Sequence, residues 1–162
     1  VYTTALFAPA DGSEPRSVHL GVDVFAPAGA EIFAPLPGRI HSFADNDRPG
    51  DYGPTVIVEH QTPDGATFFT LYGHLARAGL ARWRVGADVA TGERLGALGE
   101  RRENGGWPPH LHFQIMRAMT DPAGRIWSGD FPGVCRRSEQ AAWLAHCPDP
   151  APLLGLSARP QR

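Results

Sequence analysis

Residues 110–116, HLHFQIM, alternate polar and apolar side chains with the two-residue period of a β-strand. His110 and His112 therefore share one face of the predicted strand, and Leu111 and Phe113 share the other. Two neighbouring imidazoles are unfavourable in a packed apolar core, because their polar nitrogens would need hydrogen-bond partners there. The pair therefore indicates a functional surface on a β-protein.

Residues 19–25, HLGVDVF, show the same alternation. It predicts a strand with His19, Gly21 and Asp23 on one face, so that His19 and Asp23 are neighbours. A glycine between them fits a crowded site, because a bulky side chain would press on an ion held there. The other face is expected to enter the core: Leu20, Val22 and Val24.

A third stretch, TLYGHL at residues 70–75, also predicts a strand with a polar pair. Tyr72 and His74 are expected to lie together, opposite Leu71 and Leu75. Tyr72 suits a groove wall and a packed core equally well. Three predicted strands thus each offer two polar side chains.

The length of 162 residues and the 42% hydrophobic content predict a single domain, residues 1–162, with a real core. With 19 glycines and 16 prolines, the fold class is mainly β, an antiparallel sheet folded into a sandwich or partial barrel. One helix is predicted, over residues 136–147. The Pro-rich text after about residue 119 predicts a core over about 17–118 and a C-terminal appendage over 119–162.

Charge and hydropathy exclude several classes of function. A net charge of -2 offers no electrostatic footprint for nucleic acid or an anionic membrane surface. No segment has the 18 or more apolar residues of a membrane span, and residues 1–12 do not form a secretory leader. Cys135 and Cys147 lack C-x-x-C spacing and are expected to be reduced thiols, although a disulfide between them stays open.

Histidine and aspartate side chains on facing strands suggest metal chemistry. A catalytic zinc ion takes imidazole nitrogens and a carboxylate oxygen in a tetrahedron whose fourth position stays open. Further histidines near such an ion would carry protons during hydrolysis. The spacing therefore predicts a zinc hydrolase.

The motifs HLGVD, LYGHL and PHLHF, in this order, resemble the lysostaphin-type (LytM-like) zinc metallopeptidases. The resemblance spans roughly residues 17–117 and includes FAPAGAEIFAPLPGRI, TVIVEH and VGADVATGERLGALG. It implies a LytM-like fold with an open groove and an endopeptidase acting on peptidoglycan cross-links, with a peptide or muropeptide as substrate. Carried over by position, it implies Zn²⁺ held by His19, Asp23 and His112, with His74 and His110 as catalytic histidines.

The sequence departs from the family pattern at two places that flank the expected groove. RRENGGWPPHLHF replaces a short Ser/Thr-Gly-rich turn, so Trp107 and Pro108 are expected to reshape one wall, and Gly53-Pro54 replaces Gly-Asn. These departures, with DFPGV and CPDPAPLLGL, resemble the version embedded in large bacterial proteins between a kinase-like and an aminotransferase-like domain. That resemblance implies a cytoplasmic location within a larger protein. A removed leader would instead imply a periplasmic or secreted one.

The remaining polar residues receive simpler interpretations. His41, His60 and His146 lack partners in motif spacing and are expected to be surface or hydrogen-bonded residues. Trp107 is either a lid residue or loop packing. Arg16 either approaches the site or is solvated, and the solvated position is the simpler expectation.

Two alternatives come from other classes of protein. A non-catalytic module with an intact metal site would bind peptide or glycan, and turnover distinguishes it from an enzyme. A lipoyl- or biotinyl-carrier module is suggested by VGADVATGERLGALG, but the chain contains no lysine to carry the cofactor.

Overall fold

The computed structural model describes residues 11–156. Predictions about residues 1–10 and 157–162, namely the ends of the domain and most of the leader region, lie outside the described residues. The strands in the described part are β1 Arg16–His19, β2 Val22–Phe25, β3 Glu31–Phe33, β4 Gly38–Asn46, β5 Gly53–Gln61, β6 Thr67–Gly73, β7 Asp88–Val89, β8 Arg94–Ala97, β9 His110–Met116 and β10 Val134–Arg136. The helices there are α1 Gln140–His146 and the 3-10 helices Arg77–Arg82, Arg137–Glu139 and Ala151–Leu154.

The central element is a six-stranded sheet in the order β2-β9-β6-β5-β4-β7. Two small sheets accompany it, β1 with β10 and β3 with β8, and every pair is antiparallel. The predicted mainly β, antiparallel fold is therefore confirmed. Within residues 11–156 the sheets do not close into a barrel.

Both faces of the central sheet are covered. On one face Leu111 and Phe113 of β9 pack with Tyr72 and other apolar residues of β4, β5 and β8. On the other face Met116 packs with Phe131 and Trp143, which belong to the segment after β9. The predicted appendage is thus part of the core on the side that also carries His110 and His112. Its predicted helix is confirmed as α1, preceded by a 3-10 turn.

The prediction of one continuous strand over residues 19–25 is wrong. The chain breaks at Leu20 and Gly21, so β1 pairs with β10 while β2 forms the edge of the central sheet. Leu20 is buried as predicted, but Val24 is 39% exposed because an edge strand has packing partners on one side only. A Cβ atom at residue 21 would lie 2.6 Å from the carbonyl oxygen of Phe113, which explains the glycine.

The predicted pairing of Tyr72 with His74 is also wrong. Strand β6 ends at Gly73, and His74 adopts a φ of 62°, the left-handed conformation that a histidine seldom takes. This turn removes the side chain from the strand alternation. Tyr72 packs against Phe113 in the core, with ring centroids 5.2 Å apart, whereas the His74 ring lies 4.2 Å from that of His110.

Candidate metal centre

Three side chains from three strands converge at one end of the central sheet. His19 ends β1, and Asp23 of β2 lies directly opposite His112 of β9 in the strand register. The His19 Nε2 atom lies 2.9 Å from His112 Nδ1 and 3.3 Å from Asp23 Oδ1, and His112 Nδ1 lies 3.2 Å from Asp23 Oδ1. The structure therefore brings these three predicted residues together as a possible metal site.

The donor geometry fits a tetrahedral zinc ion. Zinc binds imidazole nitrogen and carboxylate oxygen at about 2.0–2.1 Å, so neighbouring ligand atoms in a tetrahedron are separated by about 3.3 Å. The three observed separations, 2.9, 3.2 and 3.3 Å, lie near that value. Two nitrogens and one oxygen also match the chemical preference of a catalytic zinc site.

A hydrogen-bond chain behind His112 fixes the tautomer of its ring. The amide nitrogen of Gln114 donates to the Pro132 carbonyl at 3.1 Å, so its amide oxygen faces the imidazole. That oxygen accepts a hydrogen bond from His112 Nε2 at 2.9 Å. The Nε2 atom therefore carries the proton, and the unprotonated Nδ1 faces His19 and Asp23 as a metal ligand must.

The electrostatics of the cluster keep its donors in the metal-binding state. Burial would raise the pKa of the Asp23 carboxyl, but the neighbouring imidazoles of His112 and His19 outweigh it and hold that pKa below its ordinary value. Burial is also the main reason why the pKa of His112 is lowered. A charged carboxylate beside a neutral imidazole is the form that binds a metal.

The two predicted catalytic histidines stand beside this cluster. His110 Nδ1 donates to the Pro108 carbonyl at 2.7 Å, and His74 Nδ1 donates to the Asn104 carbonyl at 2.9 Å. A carbonyl oxygen only accepts hydrogen bonds, so each Nδ1 carries a proton and each neutral ring keeps Nε2 as a base. The Nε2 atom of His110 lies 3.8 Å from Asp23 Oδ1.

His74 is held in its neutral form. Burial, reinforced by the neighbouring His110, lowers the pKa of His74 to about 3. The edge strand β2 also supports the pair, since Phe25 lies opposite His110 in the register and stacks on its ring at 5.0 Å.

A cavity of about 670 Å³ surrounds these side chains. Two loops, residues 44–54 and 101–109, form walls of the cavity through residues 48–52 and 107–108. Trp107 and Pro108 are in the wall as predicted. A third wall, formed by part of the segment 125–134, was not predicted, because the Pro-rich text after residue 119 carries no strand pattern that points toward the site.

Several functional neighbours were missed in the sequence. The buried Tyr52 places its hydroxyl 3.3 Å from His112 Nε2. The buried side chain of Asn104 bonds Gly99 and Trp107 and so shapes the loop whose carbonyl holds His74. Strand parity could have found Gln114, two residues beyond His112, but no local pattern marks the other two.

The three histidines without motif spacing take other positions. His60 is buried between the Pro37 carbonyl and the Thr70 hydroxyl. His41 bonds Ser42, and His146 bonds the Ala118 carbonyl. None of them lines the cavity in the described part of the chain.

The cysteines lie in the core under the third wall. Cys135 and Cys147 are buried, free thiols of the same apolar cluster, and the Cys147 sulfur is 3.4 Å from the Gln114 amide nitrogen. Burial raises the pKa of Cys135 to about 11 and that of Cys147 to about 12, so both are protonated at neutral pH.

The chain belongs to Peptidase family M23, whose profile it matches over residues 17–123. It is therefore a peptidase-type hydrolase domain, and the resemblance found in the motifs is confirmed. A comparison with curated proteins finds no match.

Two solved structures are similar to this chain. One is a point mutant of the catalytic domain of EnpA, a prophage-encoded M23 protein from Enterococcus faecalis, with 24% identity, a TM-score of 0.49, and coverage of 79% of this chain and 98% of that one. The other is a glycyl-glycine endopeptidase candidate, LytM, from Ruminococcus gnavus, with 19% identity and a TM-score of 0.44, and coverage of 82% of this chain and 44% of that one.

Among residues 11–156, no helix has the length and apolar character needed to cross a membrane.

Proposed function

We propose that this domain is a zinc-dependent endopeptidase whose metal ligands are His19, Asp23 and His112. The observation that carries the proposal is the convergence of three donor atoms at separations of 2.9–3.3 Å. Gln114 supports it, because its hydrogen bond leaves His112 Nδ1 unprotonated.

His74 and His110 are the residues that would move protons. A bound zinc ion supplies Lewis-acid polarisation of the scissile carbonyl and of the attacking water. The unprotonated Nε2 of His110 would accept a proton from that water and return it to the leaving amine. His74, whose ring centroid lies 4.2 Å from that of His110, would assist this transfer through its own Nε2 atom.

The substrate proposed for the site is a peptide, with peptidoglycan cross-links or muropeptides as the family substrate. The open cavity accommodates an extended chain between aromatic walls that include Phe25, Trp107 and Trp127. The balanced charge, with 15 basic and 17 acidic residues, gives no reason to expect nucleic acid or membrane as a partner. We further propose a cytoplasmic location within a larger protein, with flanking kinase-like and aminotransferase-like domains.

A second candidate function is a non-catalytic module that binds peptide or glycan through the same groove. The exposed Phe25 ring, 67% accessible and stacked on His110, favours it because such a surface suits ligand stacking. Metal content does not separate this module from an enzyme. Turnover does.

The test is hydrolysis of purified muropeptides and glycine-rich peptides by the zinc-loaded domain, followed by mass spectrometry. Three variants are compared with wild type for turnover and zinc content: His74→Ala, His110→Ala and His112→Ala. The first two should retain zinc and lose about 10²–10⁴-fold in rate, whereas the third should lose zinc. His41→Ala, outside the cavity, is the matched control. Full zinc in His112→Ala would contradict the ligand assignment, and wild type without turnover would favour the binding module.

A further inference from the structure

A β-bulge turns Arg16 toward the groove. In a regular strand, residues 16 and 19 would point to opposite faces because their separation is odd. The pairing of β1 with β10 shifts between Arg16 and Val18: residues 16 and 18 on β1 oppose residues 136 and 135 on β10. The extra residue cancels the odd separation, so Arg16 and His19 line the same cavity. Arg16 is thus both solvent-exposed and at the site, so the two interpretations of its sequence position hold together.

The charge of Arg16 is not matched by an acidic side chain in residues 11–156. No hydrogen bond or ion pair joins its guanidinium to a described residue, whereas seven arginines elsewhere in that part of the chain have such contacts. The guanidinium is exposed and so keeps all its donors available to a ligand.

The other arginines of the cavity have an acidic neighbour. The positive charges of Arg48 and Arg125 both attract the carboxylate of Asp130, and the Arg125 guanidinium also stacks on Trp127 at 3.9 Å. The negative charge of Asp51 repels the same carboxylate. This charge group is therefore balanced within the protein, and Arg16 is left as the cationic feature that a ligand can neutralise.

We infer that Arg16 binds a carboxylate of the peptide that occupies the groove, and thereby selects acidic peptides. A guanidinium recognises a carboxylate through two parallel N–H···O hydrogen bonds, which gives both affinity and orientation. Arg16 is a specificity-determining residue in this assignment, because it would hold the substrate and take no part in the proton transfers. The inference rests on the proposed function for the location of the peptide, but it does not require hydrolysis.

The test uses blocked hexapeptides of glycine in which one residue at a time is Glu or Gln, so that each pair differs only in one charge. A further pair, hexaglycine with a C-terminal carboxylate or carboxamide, separates a chain terminus from a side chain as the source of the carboxylate. Binding to the zinc-loaded domain is measured by NMR titration at low temperature, and hydrolysis is measured by mass spectrometry on warmed samples.

At one or more positions, the acidic peptide should bind wild type about tenfold more tightly than its amide partner, as expected for charge-assisted hydrogen bonds at a partly open site. Arg16→Gln should reduce that ratio to within about twofold of unity and leave zinc content unchanged. Arg39→Gln, a control that lies outside the cavity and is ion-paired with Asp88, should keep the wild-type ratio.

The outcomes separate this inference from the proposed function. An Arg16-dependent preference for acid without hydrolysis supports the inference and overturns the endopeptidase. Hydrolysis without a preference, or with a preference that survives Arg16→Gln, overturns the inference and leaves the endopeptidase standing. Absence of both binding and hydrolysis for every peptide overturns both.

Discussion

Gln114 is expected to support both the fold and metal affinity, and Gln114→Met removes its hydrogen bonds with little change of volume. The side chain is fully buried between His112 Nε2 and the Pro132 carbonyl. Losing both hydrogen bonds costs about 1–3 kcal/mol each, so we expect a loss of about 2–6 kcal/mol in the free energy of unfolding. Because His112 is then no longer held in one tautomer, zinc affinity should fall about 10–100-fold.

Urea unfolding measures the first effect, and competition with a chelator measures the second. Gln114→Glu separates the two effects, because its carboxylate still accepts a hydrogen bond from His112 but cannot donate one to the Pro132 carbonyl. This variant should keep its zinc affinity and have a lower free energy of unfolding. Gln61→Met, at the exposed end of β5, is the matched control. Zinc affinity within about threefold of wild type in folded Gln114→Met would contradict this role of Gln114, because removing a hydrogen-bond partner of a metal ligand typically weakens metal binding about tenfold or more.

Three further predictions concern packing, pH and redox state. Gly21→Ala should destabilise the domain and weaken zinc binding, since its Cβ would lie 2.8 Å from His112 Nε2. Thermal unfolding and chelator competition measure the two effects, and the absence of both would contradict the prediction. Gly79→Ala is the control, because its φ is not positive and the nearest atom to its Cβ would be Gly96 Cα at 3.6 Å. Burial lowers the pKa of His60, so at pH values below about 6.5 the unfolded chain binds a proton that the folded state does not bind. The free energy of unfolding should therefore decrease as the pH is lowered from about 7 to 5. His60→Gln should flatten this dependence in urea titrations at about pH 5–7, and an unchanged slope would contradict it. Cys135 and Cys147 should titrate as two free thiols in denatured protein isolated from its native host without reductant, and a quantitative disulfide would count against a cytoplasmic location.

The fold could be predicted where one strand is buried on both faces and its neighbours are regular. The alternation in residues 110–116 was sufficient to assign the faces of β9, since Leu111 and Phe113 do enter the core opposite His110 and His112. The break after His19 could not be read from alternation, because Leu20 and Gly21 continue the pattern while the backbone changes sheets. The alternation of polar and apolar residues predicts which face of a strand is buried, but it does not predict which strand is the pairing partner.

The site was predicted through its motifs more completely than through its geometry. His19, Asp23 and His112 do come together, yet His74 reaches them by a positive φ rather than by strand alternation. Arg16 turns inward through a bulge that no local sequence pattern announces. These two backbone irregularities exist because the surrounding packing over-determines them, so tertiary context and not local propensity decides them.

The most direct test of the central claim is anomalous diffraction at the zinc absorption edge from crystals of the zinc-loaded domain. The proposed zinc site predicts one strong anomalous peak about 2.0–2.1 Å from each of His19 Nε2, Asp23 Oδ1 and His112 Nδ1, with His74 and His110 outside that distance. A peak that is absent from this cluster, or one coordinated by His74 or His110 in place of any of the three, would contradict it.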